Sequence, residues 1–209
     1  MPGKIKAIIF DLGGVYFADG TAKAVIRFEE MLHVPKSKLE KIFGGHSLGG
    51  DYRLGKIGEK KFWEATKGEL CTDDGTIGYL KEVWNSSYTR NWGMKTLIRK
   101  LRKRYKVAVL SDNIRERVEY LNRKYNLDKE FDCYVYSFEH GMLKPDKRLL
   151  KILFQRLNVK EDEVIIVDNS IVKVESFRKF GVQTILFRSA RQVKRELSNL
   201  LKDSSFSKC

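Results

Sequence analysis

Short apolar runs alternate with longer amphipathic stretches along most of the chain. Apolar residues at helical spacing predict helices over 95–104, 114–125, 147–157 and 171–180, and one last amphipathic helix over 191–201. Five apolar runs have the length of buried strands and cover residues 4–10, 106–110, 133–137, 164–167 and 183–187. Strands and helices that alternate at this spacing are typical of a parallel sheet with helices on both faces. The predicted fold class is therefore α/β, with a parallel sheet flanked by helices.

Residues 18–90 interrupt this alternation. They contain no clear strand pattern, and helical patterns cover 22–32, 37–43, 59–68 and 77–84. Because the alternation resumes only near residue 95, we interpret residues 18–90 as a helical insertion after the first strand. Residues 1–17 and 91–209 then form the core domain. The end of the chain, residues 202–209, is expected to fray.

Composition narrows the class of protein. The chain has 209 residues, of which 42% are hydrophobic and only 3 are Pro, so a disordered or fibrous protein is excluded. No apolar run is long enough to span a membrane, and the first run is too short for a signal peptide. The cysteines at 71, 133 and 209 form no CxxC pair, which favours a reducing, cytoplasmic setting.

Positive charge is concentrated in one part of the chain. The net charge is +14, with 41 Lys and Arg against 27 Asp and Glu. Residues 18–90 are nearly neutral, whereas residues 91–209 carry most of the excess, including a basic cluster over 95–106. We favour a solvated helix face as the explanation. Steering of anionic substrates and binding of nucleic acid are the alternatives.

Polar clusters follow three of the predicted strands where each strand ends. They comprise residues 11–14, 111–113 and 168–170. Ligands of open parallel sheets bind outside the carboxyl ends of the strands, so we expect the three clusters to converge. Lys144 precedes a predicted helix and is a fourth candidate, whereas Asp146 is expected to cap that helix.

The residue types in these clusters suit phosphoryl transfer. Asp11 and Asp168 offer hard oxygen ligands for Mg²⁺. The Ser111 hydroxyl and the Lys144 ammonium suit a phosphoryl group. The glycines at 13 and 14 let backbone N–H groups approach an anion. Together these groups indicate phosphoryl transfer with an aspartate as the covalent nucleophile.

Four segments resemble, in order, the motifs of the haloacid dehalogenase-like superfamily: Phe10–Val15, Leu110–Asn113, Lys144–Asp146 and Val167–Ser170. The resemblance covers the whole chain, and residues 18–90 resemble that family's cap domain. Residues 54–62 and 141–146 are similar to the branch that includes sugar phosphatases and the N-terminal phosphatase domains of epoxide hydrolases.

The resemblance implies a Rossmann-like core and a Mg²⁺-dependent phosphohydrolase that acts on a small phosphorylated metabolite, such as a sugar phosphate. The catalytic residues would be Asp11, which forms an aspartyl-phosphate, and Lys144. Mg²⁺ would be held by Asp11, the backbone carbonyl of Gly13 and Asp168. The phosphate-binding residues it implies are Gly13, Gly14, Ser111, Asp112, Asn113 and Lys144.

The sequence departs from the family pattern beside the nucleophile. Phosphatases of this family usually carry a second Asp, the general acid and base, at the position of Gly13. Loss of such a group typically costs 10²–10⁴-fold in rate. Asn169 and Lys173 also replace residues common in the fourth motif. Asp19 and Asp112 are the candidates for a replacement acid.

Two other functions stay open. The first is a metal-independent 2-haloacid dehalogenase, whose aspartate attacks carbon, although Asp168 has no purpose in such a site. The second is a non-catalytic binding protein whose basic half holds nucleic acid.

Some residues outside the motifs also need an interpretation. Residues 50–56 match the start of a P-loop but lack its Ser or Thr and a preceding strand. His46 is a weak candidate for substrate contact. The three tryptophans are expected in the core: Trp63, Trp84 and Trp92.

Overall fold

The structure is a computed structural model that describes residues 4–202, so Cys209 and the predicted frayed end beyond Lys202 lie outside the described residues. Five parallel strands form one sheet in the order β3-β2-β1-β4-β5. The strands are β1 (Ala7–Phe10), β2 (Lys106–Ser111), β3 (Cys133–Tyr136), β4 (Val164–Asp168) and β5 (Gln183–Leu186). The predicted α/β class with a parallel sheet is confirmed.

Five helices lie between β1 and the rest of the core and form the helical insertion. They are α1 (Gly20–Leu32), α2 (Lys36–Phe43), α3 (Ser47–Arg53), α4 (Glu59–Leu70) and α5 (Asp74–Ser86). The sequence did not predict α3, because Gly49 and Gly50 are weak helix formers. A Cβ on Gly49 would lie 2.2 Å from the carbonyl oxygen of Gly44, so the close approach of α3 to the preceding turn requires glycine.

Six helices cover the sheet: α6 (Trp92–Leu101), α7 (Arg115–Tyr125), α8 (Ser137–His140), α9 (Lys147–Leu157), α10 (Ile171–Lys179) and α11 (Ala190–Leu200). Single 3-10 turns occupy Leu127–Lys129 and Glu161–Glu163. Alternate residues of β1 enter opposite apolar clusters: Ile8 and Phe10 pack on one face of the sheet, and Ala7 and Ile9 on the other. The central strand is therefore buried on both faces, as its continuous apolar run requires.

The boundaries of several predicted elements differ from those observed. Helix α6 begins at Trp92 because the Asn91 side chain accepts a hydrogen bond from Met94 N and caps the helix. Strand β1 begins at Ala7, where the chain becomes buried. None of the helices in the described range 4–202 is long and apolar enough to cross a membrane.

The two connections between the core and the helical insertion lie side by side. Ala18 N donates to the Thr89 carbonyl at 2.8 Å, and Asn91 N donates to the Tyr16 carbonyl at 2.9 Å. Phe17 and Arg90 form an antiparallel bridge between these hydrogen bonds. This pairing anchors both connections next to the loop that follows β1. The domain boundaries near residues 17 and 91 stay a prediction.

Candidate active site

The carboxyl ends of β1, β2 and β4 bring the predicted polar clusters to one edge of the sheet. Phe10 pairs with Val109 on one side and with Val167 on the other, so the residues that follow lie close together. Asp11 N also donates to the Val167 carbonyl at 3.0 Å, which extends the pairing by one residue. The expected convergence of Asp11 and Asp168 is therefore found in the structure.

Lys144 joins the two carboxylates. Its Nζ lies 2.9 Å from Oδ2 of Asp11 and 2.7 Å from Oδ2 of Asp168. The side chains of Lys144 and Asp168 are each only 1% exposed, so these charges interact with little screening by water. The Lys144 backbone N–H donates to Oδ1 of Asp112 at 2.8 Å, which fixes the segment that carries the ammonium.

The three buried groups shift one another's pKa values. Burial alone would lower the pKa of Lys144, but the adjacent carboxylates of Asp11 and Asp168 outweigh it and raise that pKa. Burial likewise opposes ionisation of Asp168, yet the cations of Lys144 and Lys173 hold its pKa below the usual range. For Asp11, burial is the stronger influence and raises its pKa in spite of Lys144. The negative charge of Asp11 therefore depends on the cations beside it.

A second ion pair lies next to this group. Lys173, on α10, places Nζ 2.9 Å from Oδ2 of Asp112. Both carboxylate oxygens of Asp112 are thus engaged, one by the Lys173 ammonium and one by the Lys144 backbone. The sequence had marked Lys173 only as a departure from the family pattern, whereas the structure places it beside the predicted site.

The loop after β1 is packed tightly. Gly14 has φ +81°, and a Cβ there would lie 2.1 Å from Nδ2 of Asn169. Gly14 is therefore required both by its backbone conformation and by the amide beside it. Gly13 is less confined, since a Cβ on it would lie 3.6 Å from the nearest atom, Cε1 of Tyr88.

A cleft of about 500 Å³ opens between this edge of the sheet and the helical insertion. Five of the predicted site residues line it: Asp11, Gly13, Asp112, Asn113 and Lys144. Three others are not part of its lining, namely Gly14, Ser111 and Asp168, and Ser111 is only 2% exposed. The Asn113 N–H is directed at the Ser137 hydroxyl oxygen, 3.1 Å away, rather than into the cleft.

Arg53, at the end of α3, faces the cleft from the side of the helical insertion. It is only 7% exposed, and its guanidinium donates to the carbonyl oxygens of Phe43, Gly44 and Gly49. Burial lowers the pKa of Arg53, although Asp112 and Asp19 act against that shift. The Ser137 hydroxyl donates to the Arg53 carbonyl at 2.7 Å, so this arginine is also tied to the core.

A family model of haloacid dehalogenase-like hydrolases matches residues 5–181. The chain belongs to this family. The hydrolase is 25% identical to bifunctional epoxide hydrolase 2 of Sus scrofa, over 94% of this chain and 39% of the relative. It is 29% identical to a phosphorylated carbohydrates phosphatase of Thermotoga maritima, over 50% of this chain and 49% of the relative. Each match thus covers less than half the length of the curated relative.

A solved structure has the same fold. It is a HAD family enzyme of Bacteroides thetaiotaomicron in complex with magnesium and inorganic phosphate. Its TM-score to the hydrolase is 0.76 with 19% sequence identity, over 88% of this chain and 95% of that chain. The resemblance noted in the sequence is confirmed at the level of family and fold.

The donor atoms beside Lys144 fit a hard divalent cation. Asp11 and Asp168 supply four carboxylate oxygens, and their combined charge exceeds that of Lys144 by one negative unit when both are ionised. Among residues 4–202 no group of three His, Cys, Asp or Glu side chains is arranged as a metal site. Two carboxylates supplemented by a carbonyl, water and substrate oxygens are typical of Mg²⁺ rather than of a transition metal.

Burial and contacts show where other residues near the site lie. Asp146 caps α9 by accepting from Arg148 N, as predicted. Trp63 and Trp84 are buried, but the expectation for Trp92 is wrong: it is 66% exposed at the start of α6. The P-loop was rightly set aside, since residues 50–56 lie in α3 and the turn that follows it.

Apart from Asp19 and His46, which both line the cleft, the sequence missed the cleft residues of the helical insertion. Arg53 lies on the unpredicted helix α3, and Tyr88 lies in a connection without a motif. Only the tertiary contacts of these residues reveal their position. Their residue types and local sequence carried no usable signal.

Proposed function

We propose that this hydrolase is a Mg²⁺-dependent phosphatase that transfers the phosphoryl group of a small metabolite to Asp11 and then to water. The observation that carries the proposal is the buried Lys144 ammonium between the carboxylates of Asp11 and Asp168. A nucleophilic carboxylate needs a nearby positive charge to stay ionised and to accept a dianionic phosphate. Lys144 supplies that charge in the lining of the cleft.

Each side chain then has a defined role. Asp11 attacks phosphorus and forms the aspartyl-phosphate, while Lys144 offsets charge on the phosphoryl oxygens. Asp11, Asp168 and the Gly13 carbonyl would hold Mg²⁺, whose chemistry is to withdraw charge from a phosphoryl oxygen. Asp112 contributes through the two lysines that it holds, because its own carboxylate would repel phosphate.

The remaining phosphate contacts come from the loops after β1 and β2. We assign the backbone N–H groups of Gly13 and Gly14, together with Ser111 and Asn113, to the phosphoryl oxygens. In the structure Asn113 lines the cleft and the buried Ser111 is outside its lining, so the assignment requires the phosphoryl group to enter deeply beside Asp11.

A phosphorylated metabolite of the size of a sugar phosphate fits the cleft. Its volume of about 500 Å³ lies within the usual range for small-molecule sites. The similarity to the Thermotoga maritima phosphatase of phosphorylated carbohydrates supports the same substrate class. The excess of basic residues would steer such anions toward the protein.

We also place the reaction in the cytoplasm. Cys71 and Cys133 are both free thiols, as a reducing compartment favours. Nucleic acid stays an alternative partner of the basic half, and binding that weakens steeply with added salt would reveal it.

The test is hydrolysis of p-nitrophenyl phosphate with Mg²⁺, with EDTA, and by Asp11→Asn. We expect turnover that EDTA removes and that Asp11→Asn lowers to background. Asp73→Asn is the matched control, because Asp73 only caps α5 away from the cleft. Release of halide from a 2-haloacid in EDTA would instead identify a dehalogenase. No turnover on any phosphate would contradict the proposal.

A further inference from the structure

The site lacks the usual proton donor for the leaving group. An alkoxide leaves phosphorus slowly unless a proton reaches its oxygen, and Gly13 has no side chain to supply one. The space beside Gly13 is bordered by the Tyr88 ring, whose Cε1 lies 3.6 Å from the position that a Cβ would take. Tyr88 also lines the cleft together with Asp11.

Tyr88 is held in place by the backbone connection to the core and by the packing of its ring. It lies two residues after the end of α5, and the next residue, Thr89, accepts a hydrogen bond from Ala18 N at 2.8 Å. A Cβ on Gly20 would lie 2.1 Å from Cδ2 of Tyr88, so the ring is seated against that glycine. The ring is thus held between Gly13 and Gly20, in a fixed relation to the loop of Asp11.

The hydrogen bonds around Thr21 determine which way the hydroxyl groups point. Thr21 Oγ1 lies 3.0 Å from Trp84 Nε1 and 3.4 Å from Arg53 Nη2, and both of these groups can only donate. They can occupy both lone pairs of the Thr21 oxygen, an arrangement in which the Thr21 hydroxyl donates its own proton. Its acceptor is Tyr88 Oη, 2.7 Å away. The proton of Tyr88 is then left for a group in the cleft.

From this arrangement we propose that Tyr88 is the general acid and base of the reaction, in place of a carboxylate at position 13. The inference rests on the proposed phosphatase function. Tyr88 would touch the leaving-group oxygen of the bound substrate, which makes it a catalytic residue.

A buried cation faces the other side of the phenol ring. Arg117 Cζ lies 4.4 Å from the Tyr88 ring centre. Arg117 is fully buried, and its three guanidinium nitrogens have no hydrogen-bond partner among residues 4–202. A positive charge so close to the ring offsets the negative charge that develops on Oη when the proton leaves.

The proposed reaction has two steps, and atoms and charges balance in each. In the first, a carboxylate oxygen of Asp11 bonds to phosphorus, the bond from phosphorus to the ester oxygen breaks, and Tyr88 Oη–H protonates the departing oxygen. The products are a free alcohol, the aspartyl-phosphate and a phenolate. In the second, water gives a proton to that phenolate and attacks phosphorus, which releases inorganic phosphate and restores Asp11 and Tyr88.

The two acids considered from the sequence are less suitable. Asp112 is engaged by Lys173 and by the Lys144 backbone. Asp19 lines the cleft, but its Oδ1 accepts from Ala22 N and caps α1. A role for Asp19 is a rival outcome of the test below.

The test compares leaving groups. Tyr88→Phe keeps the ring and removes only the hydroxyl, and kcat/KM is measured for an alkyl phosphate and for p-nitrophenyl phosphate. We expect a loss of about 10²–10⁴-fold on the alkyl ester and of less than about tenfold on the aryl ester, because nitrophenolate leaves without a proton. Thr21→Val removes the group that orients Tyr88 Oη and should give the same selective loss, with a smaller magnitude. Tyr79→Phe, an exposed tyrosine on α5, is the control.

Three results would overturn the role of Tyr88. They are an unchanged alkyl phosphatase rate in Tyr88→Phe, an equal loss on both esters, and a selective loss in Asp19→Asn but not in Tyr88→Phe. If the wild type hydrolyses p-nitrophenyl phosphate and this activity requires Asp11, the proposed phosphatase function holds. The three results above then count against the role of Tyr88 alone. If the wild type has no Asp11-dependent turnover, the phosphatase proposal and the role of Tyr88 fail together.

Discussion

Arg117 Cζ lies 3.9 Å from the ring centre of Trp84. The arginine belongs to α7 of the core and the tryptophan to α5 of the helical insertion, and both are buried. Burial lowers the pKa of Arg117 to about 10, although Tyr88 acts against that shift. Within the described range 4–202 the Arg117 guanidinium has no hydrogen-bond partner, and its contacts with the rings of Trp84 and Tyr88 join it to the helical insertion.

This contact predicts an unusual order of stability among Arg117 variants. Arg117→Met removes a buried charge but keeps volume, so we expect a free energy of unfolding within about 2 kcal/mol of the wild type. Arg117→Ala leaves a cavity next to Trp84 and should cost about 2–5 kcal/mol. Urea unfolding measures the free energy of unfolding of both variants. A larger loss in the Met variant than in the Ala variant would show that the charge itself stabilises the fold.

Lys144→Met should impair both activity and stability. It leaves the carboxylates of Asp11 and Asp168 buried without their shared cation, which costs about 3–5 kcal/mol. We expect kcat/KM for p-nitrophenyl phosphate to fall by about 10²–10³-fold or more. The control is Lys151→Met at an exposed position of α9. Equal stability of the two variants in urea would argue against a buried ionic cluster.

Mg²⁺ should stabilise the wild type against heat. Binding at a concentration about a hundredfold above Kd adds about 2.7 kcal/mol, which raises Tm by several degrees in a chain of this size. Asp168→Asn should lose most of this rise, because Asp168 is a proposed ligand. Scanning calorimetry with Mg²⁺ and with EDTA measures it, and Asp146→Asn on the neighbouring loop serves as the control. If Mg²⁺ raises the Tm of Asp168→Asn as much as that of the wild type, Asp168 is not a metal ligand.

Gly14→Ala should distort the loop after β1 for two separable reasons. The φ of +81° costs about 1–2 kcal/mol for a residue with a side chain, and the added Cβ would meet the Asn169 amide at 2.1 Å. The double variant Gly14→Ala/Asn169→Ala removes the Asn169 amide and so relieves only the steric clash with the added Cβ. We therefore expect partial recovery of Tm and of turnover in the double variant. Full recovery would mean that the backbone conformation is not restrictive.

Gly13→Asp should restore the family's usual acid. A Cβ at position 13 meets Tyr88 Cε1 only at ordinary contact distance, so the backbone there accepts a residue with a side chain. In the Tyr88→Phe background we expect Gly13→Asp to raise the alkyl phosphatase rate by at least about tenfold. Gly13→Asn, which has the same shape without an ionisable proton, should recover none. Equal effects of Asp and Asn would point to packing rather than to proton transfer.

Much of the fold follows from local pattern. The five strands were predicted because a doubly covered parallel sheet requires continuous apolar runs such as Ala7–Phe10. The positions of Asp11 and Asp168 followed from the same runs, since each lies where a buried strand ends. The first family motif includes Gly14, whose positive φ only glycine adopts easily.

Other features depend on residues distant in sequence and left no local signal. Helix α3 was missed because its glycines oppose helix formation, and the close packing that requires them involves residues 44 and 45. Trp92 was expected in the core because tryptophan is usually buried, but here α6 places it at the surface beside Arg90.

The sequence by itself determined the fold class, the family and the position of the nucleophile, because these depend on periodicity and on residues that neighbour one another along the chain. Only the tertiary structure placed Lys144 between two carboxylates and Tyr88 beside Gly13. Those contacts join segments separated by 24 to 133 residues. The direction of the Tyr88 proton depends on two donors, Arg53 on α3 and Trp84 on α5, that share the Thr21 oxygen on α1, which no linear pattern encodes.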